Sequence, residues 1–273
     1  MASINTPLGQ VVAVPYPGRV VKVGDSDQSL VKKIEQRLNA VGCGLINEDG
    51  IFDKLETERA VKLFQTRFTD TNGNPLKSDG QIGPLTWGSL FGESSVPSAS
   101  HISVSPLAKE VIVFATTQIG VLEQPLGSNS GPQVDEYLKS VGITHHSVKN
   151  FWCVAFTYFC YKQASANLGI TNPHVKTAGV LDHWNKANNQ PRASRITKSA
   201  AIANPGLVTP GSLFIIDLGG GFGHSGIVTN VVSGLLETIE GNTNPGGSSN
   251  GIGVFKRNSR KINTINKGFI EYT

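Results

Sequence analysis

The chain has 273 residues, of which 38% are hydrophobic and 16% charged, and its formal net charge is +4. This length suits one large or two small domains, and the apolar content is high enough to bury a core, which excludes a disordered chain. No apolar run reaches the ~20 residues of a membrane span, and no Lys/Arg-rich run with interleaved aromatic residues is present. We therefore expect neither membrane insertion nor nucleic-acid binding.

The first residues show no basic patch followed by an apolar core, so we expect a chain made in the cytoplasm without a signal peptide. Positive charge is uneven: ten Lys+Arg balance ten Asp+Glu up to Gly92, and the whole excess lies beyond it. Such an excess favours an anionic polymer, for example a component of the cell wall. The cysteine count of three is odd, which predicts free thiols rather than a disulfide framework.

Three short helices are predicted before Gly92. The segment SLVKKIEQRLNAVGCG spaces its apolar residues three or four apart, with Asp27 or Ser29 as N-cap and Gly44 as the stop. KLETERAVKLFQTRF repeats the pattern, and GPLTWGSLFG begins with Pro84 at a first-turn position. Together they predict a minimal three-helix bundle.

The loops before the second and third helices resemble each other, and the second reads DGQIGPLTWGSLF. With the pair Phe64-Gln65, it resembles the peptidoglycan-binding domain of many wall hydrolases, whose pattern is Asp-Gly-x-x-Gly-Pro-x-Thr plus a Phe-Gln pair. The first copy departs from this pattern, with Asp53 in place of the second Gly. The resemblance covers residues 24–92 and implies binding to bacterial peptidoglycan. Trp87 could contact sugar, although a lone Trp in a small bundle is more often a core residue.

Individually, the residues of this motif are expected to have structural roles. The glycines permit turns with positive φ, and the Asp and Thr residues cap helices.

A Ser/Pro-rich stretch, ESSVPSASHISVSP, reads as a linker over residues 93–106. Residues 107–273 then read as an α+β domain. Three helical segments come first: PLAKEVIVFATTQIG, GPQVDEYLKSVG and WCVAFTYFCYKQASANLG. Five strands follow, separated by Gly/Asn/Ser-rich turns: SLFIIDL, SGIVTNVV, LLETIE, IGVF and GFIEY. This order predicts helices packed on an antiparallel sheet.

Two cysteines lie seven residues apart in the third of these helical segments. On a helix, Cys153 and Cys160 would share a face about 10.5 Å apart, beyond the roughly 7 Å Cα limit for a disulfide. Cys160 lies mid-helix among aromatic residues, where a thiol is a small hydrophobic group with a raised pKa. Cys153 lies in the first turn, where unpaired N–H groups and the helix dipole favour the nucleophilic thiolate.

A base and an orienting group for that thiol are found downstream. His224 stands where a Gly-rich loop enters a strand, and Glu240 and Asn242 lie at the end of the next strand. A two-residue turn at Ser233-Gly234 would put His224 on the face opposite Glu240, whereas a three-residue turn or a β-bulge would bring both to one face. A catalytic role for these residues therefore predicts one of those two irregularities.

With these residues the chain resembles the CHAP family of cysteine- and histidine-dependent amidohydrolases and peptidases. The matching elements are WC at a helix start, PGSLFII followed by GHSGIVTNV, and IEGNTN; Ser212 replaces the Asp that is usual after Pro-Gly. The resemblance implies a papain-like α+β fold. It also implies Cys153 as nucleophile, His224 as base, and Glu240 and Asn242 as the residues that orient His224. The backbone N–H of Cys153 would contribute to an oxyanion hole.

Other residues near these motifs are predicted to have further roles. Trp152, beside the nucleophile, and Asn129 are predicted contacts to the substrate. Glu123 and Asp135 flank Asn129 and could line a cleft or hold a cation, although capping and turn formation are the expected roles.

No metal site and no cofactor are expected. His174 and His183 stand isolated in the sequence, and LGGGFG lacks the helix and lysine of a phosphate loop. GHSGI has Ile where the serine-hydrolase elbow requires Gly.

The two resemblances imply a peptidoglycan hydrolase that cuts an amide bond in the peptide stem, the cross-bridge or the muramoyl–alanine link. We expect a monomer that acts at the bacterial wall after release or delivery, as a phage endolysin or an injected lytic toxin does. Two alternatives stay open. One is a non-catalytic wall-binding or particle component that keeps the hydrolase domain as scaffold, and the other is a cysteine peptidase that acts on proteins.

Overall fold

The computed structural model describes residues 13–99, 104–145, 147 and 149–273. The chain divides into two compact units, one covering Met1–Ser98 with Ile202–Asn204 and the other Ala99–Ala201 with Pro205–Thr273. The bounds given above (24–92, 93–106 and 107–273) remain a prediction.

The first residues of the Ser/Pro-rich stretch are packed within the N-terminal unit. Glu93–Ser95 form a short 3₁₀ helix, the Ser95 carbonyl accepts a hydrogen bond from the Tyr16 N–H at 2.8 Å, and Ser95 and Val96 are buried. These residues are therefore part of a packed structure rather than of a free tether.

The predicted three-helix bundle is confirmed. Its helices are α1 (Gln28–Ala40), α2 (Thr57–Arg67) and α3 (Pro84–Phe91). Asp27 caps α1, since its side chain accepts a hydrogen bond from the Leu30 N–H at 3.0 Å, and Pro84 opens α3.

The similarity between the two loops of the bundle is structural. In the first copy, the buried Glu35 of α1 accepts hydrogen bonds from the N–H of Gly50 (2.9 Å) and the hydroxyl of Thr57 (3.0 Å). In the second copy, Gln65 of α2 accepts from the N–H of Gly80 at 2.9 Å and donates to Thr86 at 3.3 Å.

Gly50 and Gly80 both have positive φ, 80° and 74°, where a side chain would be strained. The motif glycines and Gln65 therefore hold turns in place, as expected from their residue types.

The C-terminal unit is α+β, as predicted. Its described residues form five α-helices: α4 (Pro106–Thr117), α5 (Pro132–Ser140), α6 (Cys153–Asn167), α7 (Val180–Ala187) and α8 (Lys198–Ala203). They form six strands: β1 (Ala193–Thr197), β2 (Leu213–Gly219), β3 (Phe222–Val232), β4 (Leu235–Thr243), β5 (Gly253–Lys261) and β6 (Gly268–Tyr272). The strands make one antiparallel sheet in the order β1-β6-β2-β3-β4-β5. Three of these elements, α7, β1 and α8, were not predicted from the sequence.

Apolar residues alternate between two cores along the strands. Leu213 and Ile215 of β2 belong to the core that α4, α5, α6 and α7 cover, whereas Phe214 belongs to a second core with Leu236 and Phe269. Because neighbouring strand residues point to opposite faces, the sheet is buried on both sides.

Candidate active site

Cys153 is the first residue of α6 and Cys160 lies in its middle, as predicted. Cys160 is fully buried in mid-helix, and burial raises the pKa of its thiol well above the ordinary value. Cys153 directly follows the N-cap Trp152, so its N–H belongs to the first turn, where backbone donors have no partner within the helix. Cys43, the remaining cysteine, is also buried and free.

A β-bulge brings His224 and Glu240 to one face of the sheet. The β3–β4 hairpin has the two-residue turn Ser233-Gly234, since Val232 pairs with Leu235. Farther from the turn the register shifts between Val228 and Asn230, and Ile227 pairs with Ile239. This register places Gly226 opposite Glu240. One of the two irregularities that the catalytic hypothesis required, the bulge, is therefore present.

Thr229 is the extra residue of the bulge. Gly226 has no room for a side chain, because a Cβ there would lie 2.8 Å from Cγ of Glu240 and 2.8 Å from the Phe214 ring. The glycine therefore lets the Glu240 side chain lie across β3 toward His224.

Glu240 is bound to His224 and held from several sides. Nε2 of His224 lies 2.8 Å from Oε2 of Glu240. Thr238 donates its hydroxyl to Oε1 at 2.6 Å, and Arg260 donates from Nε to Oε1 at 2.7 Å and from Nη2 to Oε2 at 2.6 Å. Nε of Arg257 lies 4.0 Å from Oε1.

Burial alone would raise the pKa of Glu240, but the bonds and charges of His224 and Arg260 outweigh it and lower the pKa to about 2. The carboxylate is therefore ionised and fixed.

His224 lies between Glu240 and Cys153. Burial alone would lower the pKa of His224, but the nearby Cys153 thiol and the hydrogen bond and charge of Glu240 outweigh it and raise the pKa to about 9. Since Nε2 faces Glu240, Nδ1 is the ring nitrogen left for the Cys153 thiol. This arrangement lets the imidazole take the thiol proton while the carboxylate stabilises the imidazolium.

Comparison with protein-family models divides the chain in the same way. Residues 27–90 match the model described as "Putative peptidoglycan binding domain", and residues 145–242 match the "CHAP domain" model. This chain joins a peptidoglycan-binding domain to a CHAP domain. No curated protein and no solved structure matches it. The layout is that of a peptidoglycan hydrolase, and the matched CHAP range includes Cys153, His224, Glu240 and Asn242.

Asn242 of the CHAP domain does not contact His224 through a hydrogen bond. Its side chain is fully buried, its backbone has φ of 56°, and neither amide atom has a hydrogen-bond partner among the described residues. The residue that is hydrogen-bonded to His224 is Glu240, and an orienting role for Glu240 or Asn242 stays a prediction.

Trp152 is a buried structural residue of the CHAP domain, which corrects its prediction as a substrate contact. Its indole N–H donates to Oε1 of Glu123 at 2.8 Å, and its ring packs 5.7 Å from that of Tyr137. On its other side lies Gly241, where a Cβ would come within 2.8 Å of the indole. Glu123 is buried as well, and its Oε2 has no hydrogen-bond partner among the described residues. The pair Glu123–Trp152 fixes the start of α6 against β4.

Trp87 of the peptidoglycan-binding domain is also a core residue, and its prediction as a sugar contact is wrong. The side chain is fully buried, its Nε1 donates to the Val14 carbonyl at 2.9 Å, and its ring packs against Tyr16 and Phe91.

Asn129 of the CHAP domain is nearly buried, with φ of 53°, and lines a cavity of about 130 Å³ with Asp135, Lys139 and His145. Asp135 accepts hydrogen bonds from Ser130 Oγ at 2.9 Å and the Gly131 N–H at 3.3 Å, which confirms its capping role. Contact of Asn129 with the substrate stays a prediction.

His174 and His183 are not isolated in the CHAP domain. Their rings stack at 4.3 Å, His183 Nε2 lies 2.7 Å from the Tyr272 hydroxyl, and His174 Nε2 lies 3.1 Å from Thr157 Oγ1. Burial lowers the pKa of His174 to about 3 and that of His183 well below its ordinary value. Both rings are therefore neutral parts of the core.

Within the described part of the chain, no group of three or more His, Cys, Asp or Glu side chains is arranged to hold a metal ion. None of the helices described is both long and apolar enough to cross a membrane.

Proposed function

We propose that this protein hydrolyses an amide bond of bacterial peptidoglycan with Cys153 as nucleophile, His224 as general base and acid, and Glu240 as the residue that orients His224. The observation that supports the proposal is the buried series Cys153–His224–Glu240, in which Nε2 of the histidine is hydrogen-bonded to Glu240, Cys153 lies near the ring, and Nδ1 is left without another partner among the described residues. This is the arrangement that a thiol nucleophile requires.

The reaction would proceed by acyl transfer. His224 takes the proton of Cys153, and the thiolate attacks the carbonyl carbon of the amide. The negative charge on the carbonyl oxygen would be met by the Cys153 N–H at the start of α6. His224 then gives its proton to the leaving nitrogen, and water activated by the same imidazole hydrolyses the thioester.

The peptidoglycan-binding domain would hold the enzyme on its insoluble substrate. Tethering raises the local concentration of the CHAP domain at the wall without adding contacts in its active site. We propose that the protein acts there as a monomer, released as a phage endolysin or delivered as a lytic toxin.

The first test compares the native protein with Cys153→Ala and Cys160→Ala on purified peptidoglycan, by loss of turbidity and by the masses of the products. We expect new amino termini from the native protein and from Cys160→Ala but none from Cys153→Ala, and the product masses would identify the bond. Equal inertness of all three with wall binding intact would favour the non-catalytic wall binder. Cleavage of casein without cleavage of wall would favour the cysteine peptidase.

A further inference from the structure

The Cys153–His224 pair is almost closed to solvent. Each of the two residues is only 1% exposed. A substrate carbonyl must nevertheless come into contact with Sγ of Cys153, so a neighbouring group has to move when substrate binds.

Two phenylalanines flank the pair. Phe151 is the second residue before Cys153, Phe222 is the second residue before His224, and their rings meet edge to face, with centroids 5.8 Å apart at 83°. Since residues two apart on a strand share a face, Phe222 lies on the same face of β3 as His224. The aromatic contact therefore joins the segment that carries the nucleophile to the segment that carries the base.

The side chain of Phe222 is exposed, and the residue directly follows a turn made of glycines. Its side chain is 58% exposed although it lies next to a buried catalytic pair. Gly219, which ends β2 opposite Phe222, and Gly220 and Gly221 of the turn have φ of 81°, 61° and 85°. The turn therefore places no side chain against the Phe222 ring, which packs on Phe151. An aromatic ring this exposed, two residues from His224, is accessible to an incoming substrate.

We propose that Phe222 is a substrate-contacting residue of the CHAP domain. In the free protein its ring, paired with Phe151, covers Cys153 and His224. When the wall peptide enters, the ring turns aside and packs against the small alkyl side chains next to the scissile amide. The substrate contact rests on the proposed function; the covering of Cys153 does not.

The test compares Phe222→Ala with Leu218→Ala, a residue of the same hairpin that is 52% exposed. Both variants change a surface side chain, so both are expected to fold. The first readout is the rate at which iodoacetamide alkylates Cys153, located by peptide mass spectrometry, which requires no substrate. The second is kcat/KM on soluble muropeptides.

We expect Phe222→Ala to accelerate alkylation and to lower kcat/KM, each by about tenfold, the size of one aromatic contact. Leu218→Ala should leave both close to native, and Phe222→Tyr, which keeps the ring, should retain both. Unchanged alkylation in Phe222→Ala would overturn the covering role, and unchanged kcat/KM would overturn the substrate contact. Equal effects in Leu218→Ala would overturn both. Faster alkylation in Phe222→Ala, with no muropeptide cleaved even by the native protein, would support the covering role of Phe222 and reject the proposed function.

Discussion

Arg260 holds the carboxylate of Glu240 through two parallel hydrogen bonds, from Nε to Oε1 at 2.7 Å and from Nη2 to Oε2 at 2.6 Å. The same Oε2 also meets Nε2 of His224 at 2.8 Å. The plane of the guanidinium therefore sets the plane of the carboxylate, and through it the position of the His224 ring.

Replacing this guanidinium should impair catalysis even when the positive charge is kept. Arg260→Lys retains the charge but loses the two-pronged geometry, so we expect kcat for wall cleavage to fall by about tenfold or more. Arg257→Lys is the matched control, because Nε of Arg257 lies 4.0 Å from Glu240, outside hydrogen-bonding distance. Initial rates of lysis, with wall binding measured in parallel, would check this. A native rate in Arg260→Lys would show that charge, rather than geometry, is what Arg260 supplies, and equal losses in the two variants would show that the effect is not specific to the contact with Glu240.

Gly226 should not tolerate even one methyl group. The Cβ of Gly226→Ala would lie 2.8 Å from Cγ of Glu240 and 2.8 Å from the Phe214 ring. We expect a loss of about 1–3 kcal/mol of stability and a displaced carboxylate that lowers activity further. Gly246→Ala is the control, since its nearest atom is 3.4 Å from the added Cβ, an ordinary contact distance. Unfolding in denaturant and lysis rates would be measured for both. If Gly226→Ala had native stability and a native lysis rate, Glu240 would be able to shift freely.

Stability should be greatest near pH 6.5 and fall on both sides. The folded state raises the pKa of His224 from 6.5 to about 9, so its contribution is complete below pH 6.5 and is lost as pH rises through 9. The folded state lowers the pKa of His174 to about 3, so the neutral ring costs stability as pH falls from 6.5 toward 3. Each group contributes at most about 1.4 kcal/mol per pH unit. Denaturant unfolding over a series of pH values would give the profile.

The acid side of this profile can be tested by substitution. His174→Gln keeps a polar group near the Thr157 hydroxyl and removes the ring whose pKa is lowered to about 3, so it should reduce the fall below pH 6.5. An acid side as steep as that of the native protein would show that His174 does not cause it.

The hydrogen bond between Glu123 and Trp152 should contribute to stability, and to the position of Cys153, as a single interaction. Glu123→Leu removes the acceptor and Trp152→Phe removes the donor while keeping an aromatic ring, and either should cost about 1–3 kcal/mol because its partner is left buried and unpaired. The double variant should lose little more than either single one, since both remove the same bond. Lysis rates and unfolding free energies of all four proteins form the cycle. Additive losses would mean that the two residues act independently.

The reactive residues of the CHAP domain could be proposed from sequence because each has a local signal. Cys153 begins an apolar helix, His224 follows a glycine-rich turn, and Glu240 ends the predicted strand LLETIE. Arg260 has no such signal. It shares a face with Arg257, three residues away, only because a register shift between Leu236 and Thr238 breaks the alternation of β5.

Burial explains the errors at the tryptophans. Trp152 and Trp87 lie beside functional motifs, but whether an indole lies in the core or on the surface depends on tertiary neighbours such as Glu123. The missed helix α7 did carry a usable pattern: its buried residues are Val180, His183, Trp184 and Ala187, at helical spacing.

Because of the bulge at Thr229, His224 and Glu240 share a face of the sheet only for the right number of residues, odd or even, between Gly226 and the turn. Each residue added to or removed from β3 between Gly226 and the turn rotates His224 by half a turn relative to Glu240. An insertion or deletion in that stretch therefore keeps His224 and Glu240 on one face only if it changes the length by two residues, or if it creates or removes a bulge at the same time.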